Sequence, residues 1–126
     1  MQKKILIVDD DVCIVDFMEL QLSEKGYDII KAYNGEEGLF KAKQYKPDLI
    51  IQDMVMPKIH GSEMAKKIRD DEETKNIPIV FMTSLLEKVP GDGDAGRVGG
   101  NPILAKPVLM KELLPVIKHL IKEESA

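Results

Sequence analysis

Three short apolar runs, each free of polar residues, constrain the fold of this sequence more than any other feature. They cover residues 5–8, 49–51 and 79–82 and are rich in isoleucine and valine. Such a run is typical of a strand buried on both faces, as in a parallel sheet that helices cover on both sides. Weaker strand patterns at residues 28–33 and 103–105 raise the number of predicted strands to five.

Helical patterns lie between the predicted strands. Apolar residues recur every four positions over residues 14–22, and they form a clear stripe over residues 113–121. Further helices are predicted over residues 36–44 and from about residue 61. Strands that alternate with helices predict an α/β fold with right-handed crossovers. No linker or shift in composition divides the 126 residues, so we expect one domain over residues 1–126.

Two segments depart from regular helical patterns. Residues 87–100, where a fourth helix is expected, contain five glycines and one proline. Each glycine costs a helix about 1 kcal/mol relative to alanine, so the fourth helix is predicted to be short or disrupted. Pro115 lies in the last helix, and we expect it near the start, where the missing N–H costs least.

Polar side chains stand where the predicted strands end. Residues 9–11 are three aspartates directly after the first strand, Asp53 follows the third, Thr83 ends the fourth, and Lys106 ends the fifth. The carboxyl ends of parallel strands share one edge of the sheet, and α/β proteins bind ligands there. We therefore expect these side chains to converge on one site.

The chemistry of this set favours phosphoryl transfer. Neighbouring carboxylates repel one another and are costly to bury, and a Mg²⁺ ion resolves this because it prefers oxygen ligands and often shares its shell with phosphate. Lys106 adds a fixed positive charge, and Thr83 adds a hydroxyl donor. A carboxylate nucleophile, a metal, a cation and a donor together suit transfer onto an aspartate. Each residue alone has an ordinary explanation as a turn, cap or loop residue, so only the combination is specific.

Four motifs together resemble the receiver domains of two-component response regulators, and the resemblance covers nearly the whole chain. They are ILIVDDD at residues 5–11, DMVMPKIHG at 53–61, PIVFMTS at 78–84, and the lysine–proline pair at 106–107. The resemblance implies a flavodoxin-like three-layer sandwich. Its five-stranded parallel sheet would have the order 2-1-3-4-5.

The resemblance also implies a role for each site residue. Asp53 would accept the phosphoryl group, while Asp9, Asp10, Asp53 and the backbone carbonyl of Val55 would hold Mg²⁺. Thr83 and Lys106 would contact the phosphoryl group. The donor would be a phosphohistidine on a sensor histidine kinase or phosphotransfer protein. The domain would catalyse only its own phosphorylation and dephosphorylation, and would act on a downstream effector or a fused output domain.

Three positions depart from the family pattern. Ile103 stands where the family usually has a mobile tyrosine or phenylalanine, the Gly-rich residues 87–100 replace much of the fourth helix, and His60 replaces a common acidic residue. These departures concern how phosphorylation is read out. Apolar Val55 and Leu85 also replace residues that are polar in many relatives, which predicts a long-lived phosphoaspartate.

Three other functions fit parts of the sequence less well. A phosphatase of the haloacid dehalogenase type would use Asp9 and Asp11 but would leave Asp53 without a role. A flavodoxin would need Ser, Thr and Gly in the first loop, which is acidic here. A pseudo-receiver that only binds partners would bind no Mg²⁺, and the presence of Asp10, Asp53, Thr83 and Lys106 argues against it.

Charge and hydropathy set expectations for location and partners. The formal net charge of -4 argues against direct nucleic-acid binding. No run of 18 apolar residues predicts a membrane span. The single cysteine, Cys13, excludes an intrachain disulfide, and a cytoplasmic location is expected. The apolar stripe over residues 113–121 is predicted to pack in the core, with a homodimer face as the alternative.

Overall fold

All five predicted strands and the four helices predicted from apolar patterns are present in the structure, a computed structural model that describes residues 2–54, 56, 59–83, 97–98, 101–106 and 108–121. The strands are β1 (Lys4–Val8), β2 (Asp28–Ala32), β3 (Leu49–Asp53), β4 (Ile79–Thr83), β5 (Arg97–Val98) and β6 (Asn101–Ala105). The helices within the described residues are α1 (Val12–Glu24), α2 (Gly35–Tyr45), α3 (Gly61–Asp70) and α4 (Met110–Leu120). The last of these corresponds to the predicted stripe over residues 113–121.

The sheet has the strand order β2-β1-β3-β4-β6-β5. The first five of these strands are parallel, which confirms the predicted order 2-1-3-4-5. The two-residue β5 pairs antiparallel with the start of β6 and was not predicted. The rest of the predicted fourth-helix segment lies outside the described residues.

Two apolar layers form on the two faces of the sheet, because side chains alternate along each strand. Leu6, Val8, Ile50 and Phe81 face the cluster that includes residues of α2 and α3. Alternate strand residues belong to a second cluster with α1 and α4; they are Ile5, Ile7, Ile51, Val80 and Met82. The predicted three-layer sandwich is therefore confirmed. The apolar stripe of α4 packs into the second cluster through Leu113 and Ile117, as the core interpretation predicts.

Local contacts fix where the helices and connecting turns lie. Asp11 is the N-cap of α1, and its carboxylate accepts hydrogen bonds from the N–H groups of Cys13 and Ile14. Arg69, near the end of α3, donates to the carbonyl of Ile77 at 2.6 Å and to the side chain of Asn101 at 3.2 Å. The Arg69 guanidinium therefore ties α3 to the turn before β4 and to the start of β6.

The prediction for Pro115 was wrong in position. Pro115 is the sixth residue of α4, in the second helical turn, rather than near the helix start. Its ring removes an N–H that would otherwise donate within the helix. The helix still forms because Leu113 and Ile117, on either side of Pro115, are fully buried against the sheet. In this segment, tertiary packing outweighs local propensity.

Candidate functional site

The carboxyl ends of four parallel strands bring the predicted site residues to one edge of the sheet. Asp9 directly follows β1, Asp53 ends β3, Thr83 ends β4, and Lys106 directly follows β6. The strand register aligns these ends. Asp53 is paired with Met82 of β4, and the N–H of the next residue, Met54, donates to the Met82 carbonyl at 2.9 Å. The prediction that these strand ends converge agrees with the structure.

Lys106 links two of the acidic side chains. Its Nζ lies 2.7 Å from Asp9 Oδ2 and 3.2 Å from Asp53 Oδ2. Asp9 is fully buried, and only 8% of the Asp53 side chain is exposed. Asp9 Oδ1 also accepts a hydrogen bond from the N–H of Asp11 at 2.9 Å. Lys106 thus supplies a counter-ion that two buried carboxylates require.

The pKa shifts at the site reflect its burial and crowding. Burial raises the pKa of Asp9 above its usual value, and the nearby charge of Asp53 raises it further, although Lys106 and the Asp11 N–H act in the opposite direction. Burial alone would lower the pKa of Lys106, but its contacts with Asp9 and Asp53 raise it above the usual value. Lys106 therefore carries a positive charge at neutral pH at this edge of the sheet.

Three carboxylates at this edge lie close enough together to bind one divalent cation. One oxygen each from Asp9, Asp10 and Asp53 lies within 4.8 Å of the others. Asp9 and Asp53 are buried, while Asp10 is exposed and faces solvent. Hard oxygen donors, with one side open for water and phosphate oxygens, suit Mg²⁺. The residues present fit the predicted metal, with Val55 lying outside the described residues.

The three consecutive aspartates have separate roles in the structure. Asp11 caps α1, while Asp9 and Asp10 belong to the acidic cluster. This division follows from position, because residue 11 alone stands where the N–H groups at the start of α1 point. The aspartates predicted as metal-binding therefore lie at the site, and the third stabilises the adjacent helix.

The segment after Asp53 returns to it at Gly61. The N–H of Gly61 donates to the carbonyl of Met54 at 2.9 Å. A Cβ at position 61 would meet the carbonyl oxygen of Asp53 and would lie 2.8 Å from the Cα of Met54. Glycine is required here because the backbones approach too closely for a side chain.

Sequence reasoning missed Gln52, which contacts this same turn. Its side-chain amide is fully buried and donates to the Gly61 carbonyl at 2.6 Å. The sequence contained a signal for this contact, because a glutamine stands between the apolar run at residues 49–51 and Asp53. A polar residue at the end of a strand that is buried on both faces usually has a specific hydrogen-bond partner.

The departures from the family pattern have different structural settings. Ile103 is buried, opposite Phe81 in the neighbouring strand, so this position has no aromatic ring to move. His60 is exposed at the N-cap of α3, and its side chain makes no capping hydrogen bond. Leu85 lies outside the described residues, as does the family's proline at position 107.

Comparison with known proteins identifies the class to which this fold and site belong. The family model for the response regulator receiver domain matches residues 5–118. The chain is 37% identical over 123 residues to the alkaline phosphatase synthesis transcriptional regulatory protein PhoP of Bacillus subtilis, covering 97% of the chain and 50% of PhoP. It is 32% identical over 122 residues to the polar-differentiation response regulator DivK of Brucella anthropi, covering 96% of the chain and 98% of DivK.

Solved structures agree with this class. The chemotaxis response regulator CheY4 of Vibrio cholerae superimposes with a TM-score of 0.81 at 30% identity, covering 95% of this chain and 99% of CheY4. The receiver domain of the sensor histidine kinase PA1611 of Pseudomonas aeruginosa has a TM-score of 0.84 at 26% identity, covering 98% and 100% of the two chains. That structure has a magnesium ion coordinated in its active site cleft.

The chain belongs to the response regulator receiver domain family, the regulatory domains of two-component signalling. The haloacid dehalogenase and flavodoxin alternatives are thereby set aside. The chain spans about half the length of PhoP and of the transcriptional regulator RpaA of Synechocystis, to which it is 34% identical over 94% of the chain. Within the described residues, no helix is long and apolar enough to cross a membrane.

Proposed function

We propose that residues 1–126 form one receiver domain that accepts a phosphoryl group on Asp53 in a Mg²⁺-dependent reaction. The observation that carries this proposal is the meeting of Asp53 with two further carboxylates and the Lys106 ammonium at one sheet edge. The proposed donor is a phosphohistidine on a sensor histidine kinase or a phosphotransfer protein. The proposed acceptors of the signal are effector proteins, with no direct nucleic-acid contact by this acidic domain.

In this proposal, an oxygen of Asp53 attacks the phosphorus of the donor. A P–O bond forms to Asp53 while the P–N bond to the donor imidazole breaks, and the imidazole leaves with the bonding electron pair. Asp9, Asp10, Asp53 and the carbonyl of Val55 are the proposed holders of Mg²⁺. When bound, Mg²⁺ supplies positive charge that offsets the charge on the phosphoryl oxygens.

The other residues of the site have supporting roles in this proposal. The Lys106 ammonium, which contacts Asp53 Oδ2, is placed to pair with a phosphoryl oxygen once Asp53 becomes an acyl phosphate. The Thr83 hydroxyl, at the end of the adjacent strand β4, is the proposed donor to another phosphoryl oxygen. Phosphorylation adds charge and acceptor oxygens at this edge, which is how it would alter the contacts of the domain with other proteins.

The test is to incubate the protein with Mg²⁺ and acetyl phosphate, and to measure the intact mass. We expect a mass increase of one phosphoryl group in the wild-type chain and none in Asp53→Ala or when Mg²⁺ is chelated. Asp48→Ala is the matched control, because Asp48 stands at the opposite end of β3 and accepts a hydrogen bond from the Lys4 N–H. An adduct that persists in Asp53→Ala, or a wild-type chain that never gains one, would contradict the proposal.

A further inference from the structure

Gln52 is a fully buried polar residue in an apolar layer of the protein. Its register partners on the neighbouring strands are Val8 and Phe81, and both belong to the cluster packed against α2 and α3. A residue such as methionine or leucine would suit this layer without burying an amide. Burying an amide is unfavourable unless hydrogen bonds compensate for the lost water.

Among the described residues, one hydrogen bond compensates for burying the Gln52 amide. The side-chain N–H donates to the Gly61 carbonyl at 2.6 Å, whereas no group within the described ranges donates to Oε1. A half-satisfied amide is a poor source of stability. What the glutamine contributes over an apolar residue is therefore its directed bond to Gly61.

Gly61 is the point at which the segment after Asp53 returns to the sheet. Its N–H is bonded to the Met54 carbonyl, and it packs so closely on the backbone of residues 53 and 54 that no Cβ fits. The N-cap residue of α3, His60, provides no side-chain capping bond. Gly61, the first residue of α3, is therefore held by the Met54 carbonyl through its N–H and by the Gln52 amide through its carbonyl.

We propose that Gln52 is a positioning residue for the phosphoacceptor site. By fixing Gly61, the amide fixes the backbone of Asp53 and Met54, and with it the direction of the Asp53 carboxylate toward Lys106. Gln52 does not touch the phosphoryl group and acts only through Gly61. The inference rests on the proposed function of Asp53, and it adds a residue that the metal and phosphoryl contacts do not include.

The test uses Gln52→Met and Gln52→Leu, which place an apolar side chain in the layer and remove the donor. The matched control is Gln21→Met, because Gln21 in α1 also has a buried side-chain oxygen without a partner among the described residues. The rate of phosphorylation is measured against acetyl phosphate concentration at saturating Mg²⁺. Thermal unfolding of each variant is measured in parallel.

We expect both Gln52 variants to fold and their maximal phosphorylation rate to fall about tenfold, as is typical when a group that orients a functional residue is removed. The phosphodonor concentration for half-maximal rate should stay at the wild-type value, because positioning acts on the transfer step rather than on donor binding. Gln21→Met should match the wild type in both quantities.

Three results would overturn the inference. One is a Gln52→Met variant that folds and is phosphorylated at the wild-type rate. The second is a change in half-saturating donor concentration alone. The third is failure of both Gln52 variants to fold, which would assign the amide to the fold rather than to the site. If wild type and Gln21→Met also take no phosphoryl group, the proposed function fails instead.

Discussion

Removing the Lys106 ammonium tests the electrostatic description of the site most sharply. At an effective dielectric constant of about 20, unit charges at the observed 2.7 and 3.2 Å attract by about 6 and 5 kcal/mol. Desolvation of the three groups offsets most of this attraction. Removing one partner of a buried ion pair nevertheless costs about 3–5 kcal/mol, because the charges left behind are uncompensated. We expect Lys106→Met to lower the free energy of unfolding by about 3 kcal/mol without divalent ions.

The matched control for this variant is Lys66→Met. Lys66 lies 3.0 Å from Asp70, but both side chains are exposed, at 77% and 65%. An exposed pair of this kind contributes at most about 1 kcal/mol. The same substitution at similar contact distance therefore separates the effect of burial from the effect of losing a lysine.

Magnesium should reverse part of the loss in Lys106→Met. Without the lysine, the three carboxylates lose the cation that the described part of the chain places beside them, so the variant should bind Mg²⁺ more tightly than the wild type. A ligand at 100 times its Kd stabilises the folded state by about 2.7 kcal/mol. The stability gap between the variant and the wild type should therefore narrow as Mg²⁺ is added at constant ionic strength.

Urea unfolding followed by circular dichroism measures these quantities in a chain that has no tryptophan. A Lys106→Met variant that loses no more stability than Lys66→Met would contradict the role of Lys106 as a buried counter-ion. An equal gap between Lys106→Met and the wild type with and without Mg²⁺ would also contradict it.

Three further predictions concern contacts that stabilise the fold and are checked by the same urea unfolding. Gly61→Ala should lose about 1–3 kcal/mol, since its methyl group would overlap the neighbouring backbone, and an unchanged midpoint would contradict the close approach. Arg69→Met should lose about 2 kcal/mol as its bonds to the β4 turn and β6 disappear, and a neutral result would show that they do not stabilise the fold. Burial alone would raise the pKa of Glu37, but hydrogen bonds from the Tyr33 N–H and from Lys41 lower it below its usual value. Ionised Glu37 therefore stabilises the fold at pH values above its unfolded-state pKa, and this stabilisation is lost as the pH falls through its folded-state pKa. The stability difference between wild type and Glu37→Gln should thus be largest near neutral pH and shrink below about pH 4, and a difference independent of pH would contradict it.

The positions of the strands could be predicted because the apolar runs that mark them have a direct physical cause. Unbroken runs such as residues 49–51 have no polar face, so only a doubly covered parallel sheet accommodates them. Convergence of Asp9, Asp53 and Lys106 then followed, since parallel strands end at a common edge. The strand order itself came with the family resemblance and not from the runs.

Other features depend on tertiary geometry that the sequence pattern does not encode. The bond from Gln52 to Gly61 joins residues nine positions apart across a turn, and only the folded backbone brings them together. The short antiparallel β5 needs the edge of β6 as its partner. Pro115 is accommodated in the second turn of α4 because core packing on both sides holds the helix. None of these contacts can be predicted from local secondary-structure propensity.

We propose that Asp9, Asp10 and Asp53 share one divalent ion. Substoichiometric Mn²⁺, used as a paramagnetic substitute for Mg²⁺, should broaden the backbone NMR signals of residues near the ion. We predict that broadening is strongest at residues 9–11, 53–54 and 106, and that excess Mg²⁺ reverses it. The acidic run at residues 70–73 is an internal control on the same chain. Broadening centred on residues 70–73, or spread evenly over the surface, would contradict the claim.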